Sequence, residues 1–349
     1  MASIEVININ GWTAFEEVNV HAAFNEAARS FSVTLAAELG ASTVNRIFDV
    51  QTEVSIQAND DLLCTGYVDT KHPHLAPKEA WIEIGGRSKS QDLVDGAAEH
   101  ETGYFENKDP LEIAQAVSSE YEAKWETDQQ LDKLDHYHLQ QGETCFRCVE
   151  KMVRDQGLTI TGTAEGNAKI TKAGGQRHSG QLVEGVNFIV ADAYHNAANR
   201  HSKIIVRGQR PVGHDDDNLW IEAIEQDSSI KRHRTTIIVQ DNDTTKDRAK
   251  KRAKNRKDRT AGNGLKASIR VQGFRDDGGT LWTPGYLVWT ESPFLDIQQD
   301  MLIEAVDYNQ TNRGSIATLA LVDPRAYGGQ GAGGGKGNQS GDAWSMGDD

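Results

Sequence analysis

Apolar and polar residues alternate over most of the first hundred positions, which is the period of half-buried strands. Ile4, Val6 and Ile9 open the pattern, and short strands are predicted at Phe31-Val33-Leu35, Val50-Val54-Ile56 and Trp81-Ile82-Ile84. Asn59-Asp60-Asp61 lies between Val54-Ser55-Ile56 and Leu62-Leu63 and predicts a hairpin turn. From about residue 99 the period lengthens. Asp109-Pro110 followed by LEIAQAVSSEYEAKW sets Leu111, Ile113, Ala114 and Val117 on one helical face, with Asp109 as N-cap and Pro110 as first residue. A second helix is predicted from Gly142-Glu143-Thr144 to Gly157, its stripe formed by Cys145, Val149, Met152 and Val153. LTITGTAEGNAKITKAG then reads as a hairpin turning at Gly166-Asn167.

Alternation returns near residue 181. Strands are predicted at Asn187 to Ala193, Lys203 to Val206, Arg234 to Val239, Lys266 to Val271, Tyr286 to Thr290, Met301 to Val306 and Ile316 to Leu321. A helix-compatible basic run, KDRAKKRAKNRKDR at 246–259, interrupts them. From Tyr327 the chain is Gly-rich and of low complexity, the composition of a tail ordered only by partners.

The two β regions resemble each other. Aligning Ser32 with Ser202 also pairs Val20 with Val190, Ala23 with Ala193, Ala27 with Ala197 and Ala28 with Ala198. Downstream, LLCTGYVD then WIEIGGR corresponds to MLIEAVD then IATLALVDPR. Two copies of one β unit with an α+β unit between them is the expected architecture. Three such chains would supply six quasi-equivalent positions to a ring, so a homotrimer would match a sixfold neighbour.

The chain has 349 residues and a formal net charge of −15. That balance argues against general nucleic-acid binding, because affinity for phosphate comes from Lys and Arg. The basic run holds nine basic and two acidic residues, a local +7, leaving −22 on the rest. It carries no aromatics to stack bases and reads as an exposed helix or a subunit contact. Cys64, Cys145 and Cys148 are too few and odd in number for a disulfide framework. The N-terminus lacks a basic start and apolar core, and no apolar run approaches the ~18 residues of a membrane span. A soluble chain made in a cytoplasm is expected.

WIEIGGRSKSQDLVD at 81–95 imitates a phosphate loop, but Lys89-Ser90 would need glycine where Glu83 and Ser88 stand. No third glycine completes a dinucleotide fingerprint. Cys145-x-x-Cys148, near His136 and His138, has no second CxxC and sits on a helical apolar stripe, so each thiol reads as a buried hydrophobe rather than a metal ligand. Among 52 acidic residues no carboxylate pair stands out, and Asp92 and Asp95 read as helix N-terminal charges. His72-Pro73-His74 reads as a loop. No catalytic, cofactor or metal residues are assigned.

Collinear segments carry a family resemblance. WIEIGGRSKSQDLVD, QGETCFRCVEKMVRDQGLTI, GQLVEGVNFIVADAYHNAANRHSKIIVRGQ and GGTLWTPGYLVWTESPFLDIQQDMLIEAVDYNQTNRGSIATLALVDPRAY resemble the baseplate hubs of Mu-like contractile-tailed phages, over about Ile4 to Tyr327. The polar stretch 121–141, the basic run and the Gly-rich tail depart from the family pattern. The resemblance implies a structural, non-enzymatic homotrimer. Its barrel-like, tail-tube-like domains would form a pseudo-sixfold ring between a sixfold tail tube and a threefold central spike, with wedge proteins around it. It places the protein in the tail baseplate of a virion assembled in the host cytoplasm, without membrane insertion. An acidic lumen that lets DNA pass without specific binding follows from the −22 charge. A hub of a tailocin or other injection system, and a tail-associated peptidoglycan-degrading enzyme, are the alternatives.

The expected fold is β-rich α+β: a first barrel-like domain at 1–98, an α+β domain at 99–175, a second barrel-like domain at 176–326 with a basic helical insertion near 241–262, and a tail at 327–349. Aligning the repeats places Gly85, Gly86 and Arg87 where the second unit ends. The glycines are therefore expected to release the chain from the first domain. Ser88 or Ser90 would cap the turn into Asp92, and Arg87 would tie domains or subunits through a carboxylate pair.

Overall fold

The structure, a computed structural model, describes residues 5–36, 48–77, 79–208, 221–240 and 245–329. Most of the predicted Gly-rich tail, 330–349, lies outside the described residues. The first β unit holds β1 (Ile7–Ile9), β2 (Glu17–Ala23), β3 (Ser30–Ala36), β4 (Glu53–Ala58), β5 (Asp61–Ala76) and β6 (Glu79–Ser88). They run side by side as β1-β4-β5-β6-β3-β2. Strand alternation is clean in β2, where Val18, Val20 and Ala22 are buried. Each valine removed from water contributes about 1.5–3 kcal/mol before the entropy of ordering it. Asn59 turns β4 into β5 at φ +54°, a conformation asparagine tolerates.

The central unit follows with α1 (Gln91–Asp95), β7 (Tyr104–Lys108), α2 (Pro110–Val117), β8 (Trp125–Thr127), β9 (Leu134–His138), α3 (Cys145–Asp155), β10 (Thr159–Gly162) and β11 (Ala168–Thr171). Helix α2 begins with the predicted cap. Glu112 N–H donates to Asp109 Oδ1 at 2.9 Å, and Asp109 N–H donates back to Glu112 at 3.1 Å. Thr144 caps α3 by accepting from Arg147 N–H at 3.3 Å. Val153 is followed by a reversal at Gly157, φ +76°. Ile113, Ala114, Val117, Cys145, Cys148, Val149 and Met152 bury their side chains against Trp125, Ile160 and Ile170, which makes a core separate from that of the β units. The polar stretch 121–141 supplies the short strands β8 and β9.

The second β unit contains β12 (Arg177–Val183), β13 (Val190–His195), β14 (Lys203–Gly208), β15 (Ile221–Gln226), β16 (Thr235–Val239), helix α4 (Lys246–Gly262), β17 (Leu265–Gln272), β18 (Leu287–Ser292), β19 (Ile297–Thr311) and β20 (Gly314–Val322), and a 3-10 turn at Pro324–Tyr327. Its main path is β13-β17-β20-β19, with β18 on β19 and β12 on β18. Strands β14, β15 and β16 do not join it. They form their own three-stranded sheet, ordered β15-β14-β16, with Ile204, Val206 and Ile221 packed on Ala249 and Ala253 of α4. The insertion is therefore larger than the predicted basic helix and spans about residues 196–264. The predicted strands at Lys203 to Val206 and Arg234 to Val239 belong to it.

Hydrogen-bond register redefines the repeat. The partner of β2 is β3 and the partner of β13 is β17, so β3 corresponds to β17 and not, as the Ser32–Ser202 alignment implies, to β14. Both long hairpins, β5–β6 and β19–β20, carry a bulge at one equivalent place, Asp69 in the first and Glu304 in the second. The preceding turn repeats too. Gln51 N–H donates to Val68 O and Val68 N–H to Thr52 O at 2.8 and 3.0 Å. Gly285 N–H donates to Ile303 O and Ile303 N–H to Tyr286 O at 2.8 and 2.9 Å. Gln51 and Gly285 share the left-handed backbone at φ +70° and +89°. A left-handed turn residue at one equivalent place in both halves is what a duplicated unit would show.

Candidate functional site

The two β units meet along a strand seam. β2 pairs antiparallel with the outer half of β19, from Ala23 opposite Ala305 to Glu17 opposite Thr311. The units thus share one 12-stranded sheet and one hydrophobic cluster. On the solvent side of the seam His21 Nδ1 lies 2.7 Å from Asp307, and Asn309 Nδ2 donates to Glu17 at 2.9 Å. The Asp307 hydrogen bond holds the His21 pKa above its ordinary value, against the effect of burial. On the inner side Val20 packs near Tyr308, whose hydroxyl donates to Trp282 O in a fully buried position.

A second clamp closes over this seam. Arg275 Nε donates to Glu5 at 3.2 Å, Nη2 donates to Ala58 O at 3.1 Å, and Nη1 bonds Asp61. Glu5 is only 1% exposed. One guanidinium of the second unit therefore holds the first unit's β4–β5 hairpin, a use of its fixed fork that a lysine cannot copy. Nothing local in the sequence marks Arg275 as a clamp, because its partners in the first unit lie more than 200 residues away.

Among the residues predicted at the exit from the first unit, Gly85 and Gly86 do not release the chain. Both lie inside β6, paired with β3 and β5, and the strand runs on through Arg87 to Ser88. Their reason is space. A Cβ on Gly86 would stand 2.0 Å from Tyr67 O and 2.5 Å from the Phe31 ring, while one on Gly85 would meet only the Thr70 hydroxyl, at 2.8 Å. Arg87 Nε donates to Asp69 at 2.7 Å and Nη1 to Asp95 at 3.2 Å, so it links the bulge to α1 of the central unit. The Asp69 bond raises the Arg87 pKa. Ser88 Oγ accepts from Arg29 N–H at 2.9 Å and lies 2.8 Å from Ser90 Oγ. Ser90 holds the N-cap position of α1 without a side-chain cap bond, which corrects the capping expectation: its hydroxyl is used by Ser88. Asp92 sits exposed in the first turn of α1, its pKa raised by partial burial and by Asp69 and Asp95.

Arg29, which sequence reasoning missed, joins the same junction. Its Nε donates to Gly162 O at 3.2 Å and its Nη1 to Leu63 O at 2.6 Å, tying the central hairpin to the first β unit. Cys145 and Cys148 are buried free thiols with pKa pushed up to about 11 by desolvation, and among the described residues no cluster of His, Cys, Asp and Glu could hold a metal ion. His178 is buried against Asp276 at 3.1 Å. Thr283 N–H donates to its Nε2, so Nδ1 carries the proton given to Asp276. Burial lowers the His178 pKa. His72 and His74 are in β5, not a loop, and their rings flank Trp81 at 5.2 and 4.7 Å. Among the described residues no helix is long and apolar enough to cross a membrane.

Residues 90–172 match the second domain of the family described as baseplate hub protein gp44-like, and residues 244–329 match the fourth domain of the Mu phage baseplate assembly protein GpP. The first match coincides with the central unit, and the second begins at the basic helix α4. The baseplate hub protein gp44 of Escherichia phage Mu is 24% identical over 283 residues, covering 78% of this chain and 74% of that protein. A 43 kDa tail protein of prophage MuSo2 from Shewanella oneidensis superposes with a TM-score of 0.80 at 23% identity, covering 93% of this chain and 99% of that one. A tail protein from Neisseria meningitidis gives 0.75 at 17% identity, covering 93% and 98%.

Proposed function

We propose that this chain, which carries the second and fourth domains of the Mu-type baseplate hubs, is itself the hub of a contractile tail baseplate. Its role is mechanical. Three copies, each with two β units of the same strand order, form a ring that is sixfold towards the tail tube and threefold towards the central spike. The observation that carries this reading is the duplicated unit: the bulge, the left-handed turn residue and the strand order recur in both halves, and one sheet joins them. A symmetry adaptor needs that combination of near-identity and fixed spacing. Wedge proteins would bind outside the ring, and DNA would pass the acidic lumen without specific contacts. The protein then acts in the virion baseplate after assembly in the host cytoplasm, as scaffold and not as enzyme.

The test is the mass of the purified full chain by light scattering or native mass spectrometry, alone and mixed with its spike. A trimer is expected. A strict monomer under both conditions refutes the hub reading.

A further inference from the structure

The seam between β2 and β19 uses two edges, and the duplication presents the same two edges again. In the second unit the strand equivalent to β2 is β13, which ends the sheet path and, among the described residues, pairs with β17 alone. In the first unit the strand equivalent to β19 is β5. Its inner half carries β4, but beyond the Asp69 bulge the segment His72–Ala76 pairs only with β6 among the described residues. We propose that β13 of one subunit pairs antiparallel with His72–Ala76 of β5 in the next, repeating between chains the seam that β2 and β19 make within a chain. The inference rests on the ring reading above and supplies its contact.

The intrachain register dictates the interchain one. Equivalence through the bulged hairpins maps Asp307, Tyr308, Asn309, Gln310 and Thr311 onto His72, Pro73, His74, Leu75 and Ala76. Equivalence through β3 and β17 maps His21, Val20, Asn19, Val18 and Glu17 onto Tyr194, Ala193, Asp192, Ala191 and Val190. His72 therefore faces Tyr194, His74 faces Asp192, and Leu75 faces Ala191. Phe24 N–H donates to Glu304 O, which fixes the phase of the seam: Tyr308, and so Pro73, stands at a position whose N–H points across it. Asn196 N–H donates to Gly264 O, so the backbone polar groups of the even residues of β13 face β17 and those of Ala191 and Ala193 face the free edge. Pro73 brings no donor, and this ladder keeps its carbonyl for Ala193 N–H while Leu75 and Ala191 exchange both bonds. An edge proline with its nitrogen outward also weakens unprogrammed strand addition.

The side chains are laid out for such a contact. Val190, Tyr194 and Leu75 are 50%, 65% and 74% exposed, unusual for apolar residues on strands of a joined sheet. His72 and His74 hold Trp81 between them on the face that would receive Tyr194 and Asp192. The contact joins two different edges, so it is head-to-tail and builds a ring, not an isologous dimer.

Cysteine pairs decide the matter on the full-length protein. His72 and Tyr194 fall at a non-hydrogen-bonded position, where Cα atoms lie about 4.5 Å apart, within disulfide range. Both side chains are exposed, so His72→Cys with Tyr194→Cys folds as wild type. Mild oxidation is expected to give covalent dimer and closed trimer on a non-reducing gel. Each single variant, and the out-of-register pair His72→Cys with Val190→Cys, stays monomeric on the same gel. A protein that is trimeric by mass yet shows no cross-link in the first pair overturns this seam and leaves the trimer standing. A protein that is monomeric by mass overturns both.

Discussion

Replacing Arg275 with alanine tests whether the two β units are held by one clamp. The change deletes donors to Glu5, Asp61 and Ala58 O. The Asp61 carboxylate is 51% exposed, so its arm is worth no more than about 1 kcal/mol. Glu5 is 1% exposed and keeps Asn59 as its remaining side-chain donor. Stranding a buried charge costs about 3–5 kcal/mol, and the residual Asn59 bond moderates this to about 3 kcal/mol in total. Urea unfolding followed by tryptophan fluorescence reads it, because Trp282 is buried beside this region. If the cost arises from the stranded carboxylate, Glu5→Gln combined with Arg275→Met recovers most of it, since neutral side chains of similar size remove the desolvation penalty. Arg275→Lys falls between, as one ammonium cannot reach three acceptors. The clamp is refuted if Arg275→Ala lies within about 0.5 kcal/mol of wild type, or if the double variant is as unstable as the single one.

Gly86→Ala and Gly85→Ala separate backbone from side-chain crowding. The first drives a Cβ into Tyr67 O and is expected to cost about 3 kcal/mol or to abolish soluble protein. The second displaces only the Thr70 hydroxyl and should cost less than about 1 kcal/mol; equal melting temperatures for the two would refute the steric account. The seam also has a pH signature. His21 has a raised pKa, so its stabilisation is complete below the ordinary value near 6.5 and is lost as pH climbs through the folded value. His178 has a lowered pKa and works the other way, costing stability as pH falls below 6.5. The melting-temperature difference between wild type and His21→Gln should therefore shrink from pH 6 towards pH 8.5 (in buffers of matched ionic strength), and a difference flat across that range contradicts the His21–Asp307 assignment.

Local signals in the chain were reliable where one element decides its own conformation. The Asp109 N-cap with Pro110 behind it, the helix that starts at Thr144 and stops at Gly157, and the Asn59 turn all appear as read. Failures came where the answer lies across the sheet. Alternation at Lys203 to Val206 shows a strand but not which sheet receives it. Alanine matches drew the repeat into a register three residues off, because the insertion separates β13 from its true neighbour β17. Gly85-Gly86 looks like punctuation, yet the close approach of β5 is what excludes a side chain there. His72-Pro73-His74 looks like a loop, since proline seldom enters strands, and is tolerated because its nitrogen faces an edge. Arg29 and Arg275 act on partners far along the chain, and no window of sequence contains both ends of such a contact.

The β2–β19 seam also bears on assembly kinetics. Because both edges belong to one polypeptide, this joint forms at the effective concentration set by its own tether and does not change with dilution. In a ring of six units built from three chains, half of the joints would then be complete before any encounter between molecules. Nucleation of such a ring would be a three-body problem in place of a six-body one, and a small number of chains would close it at concentrations where six separate units remain dispersed.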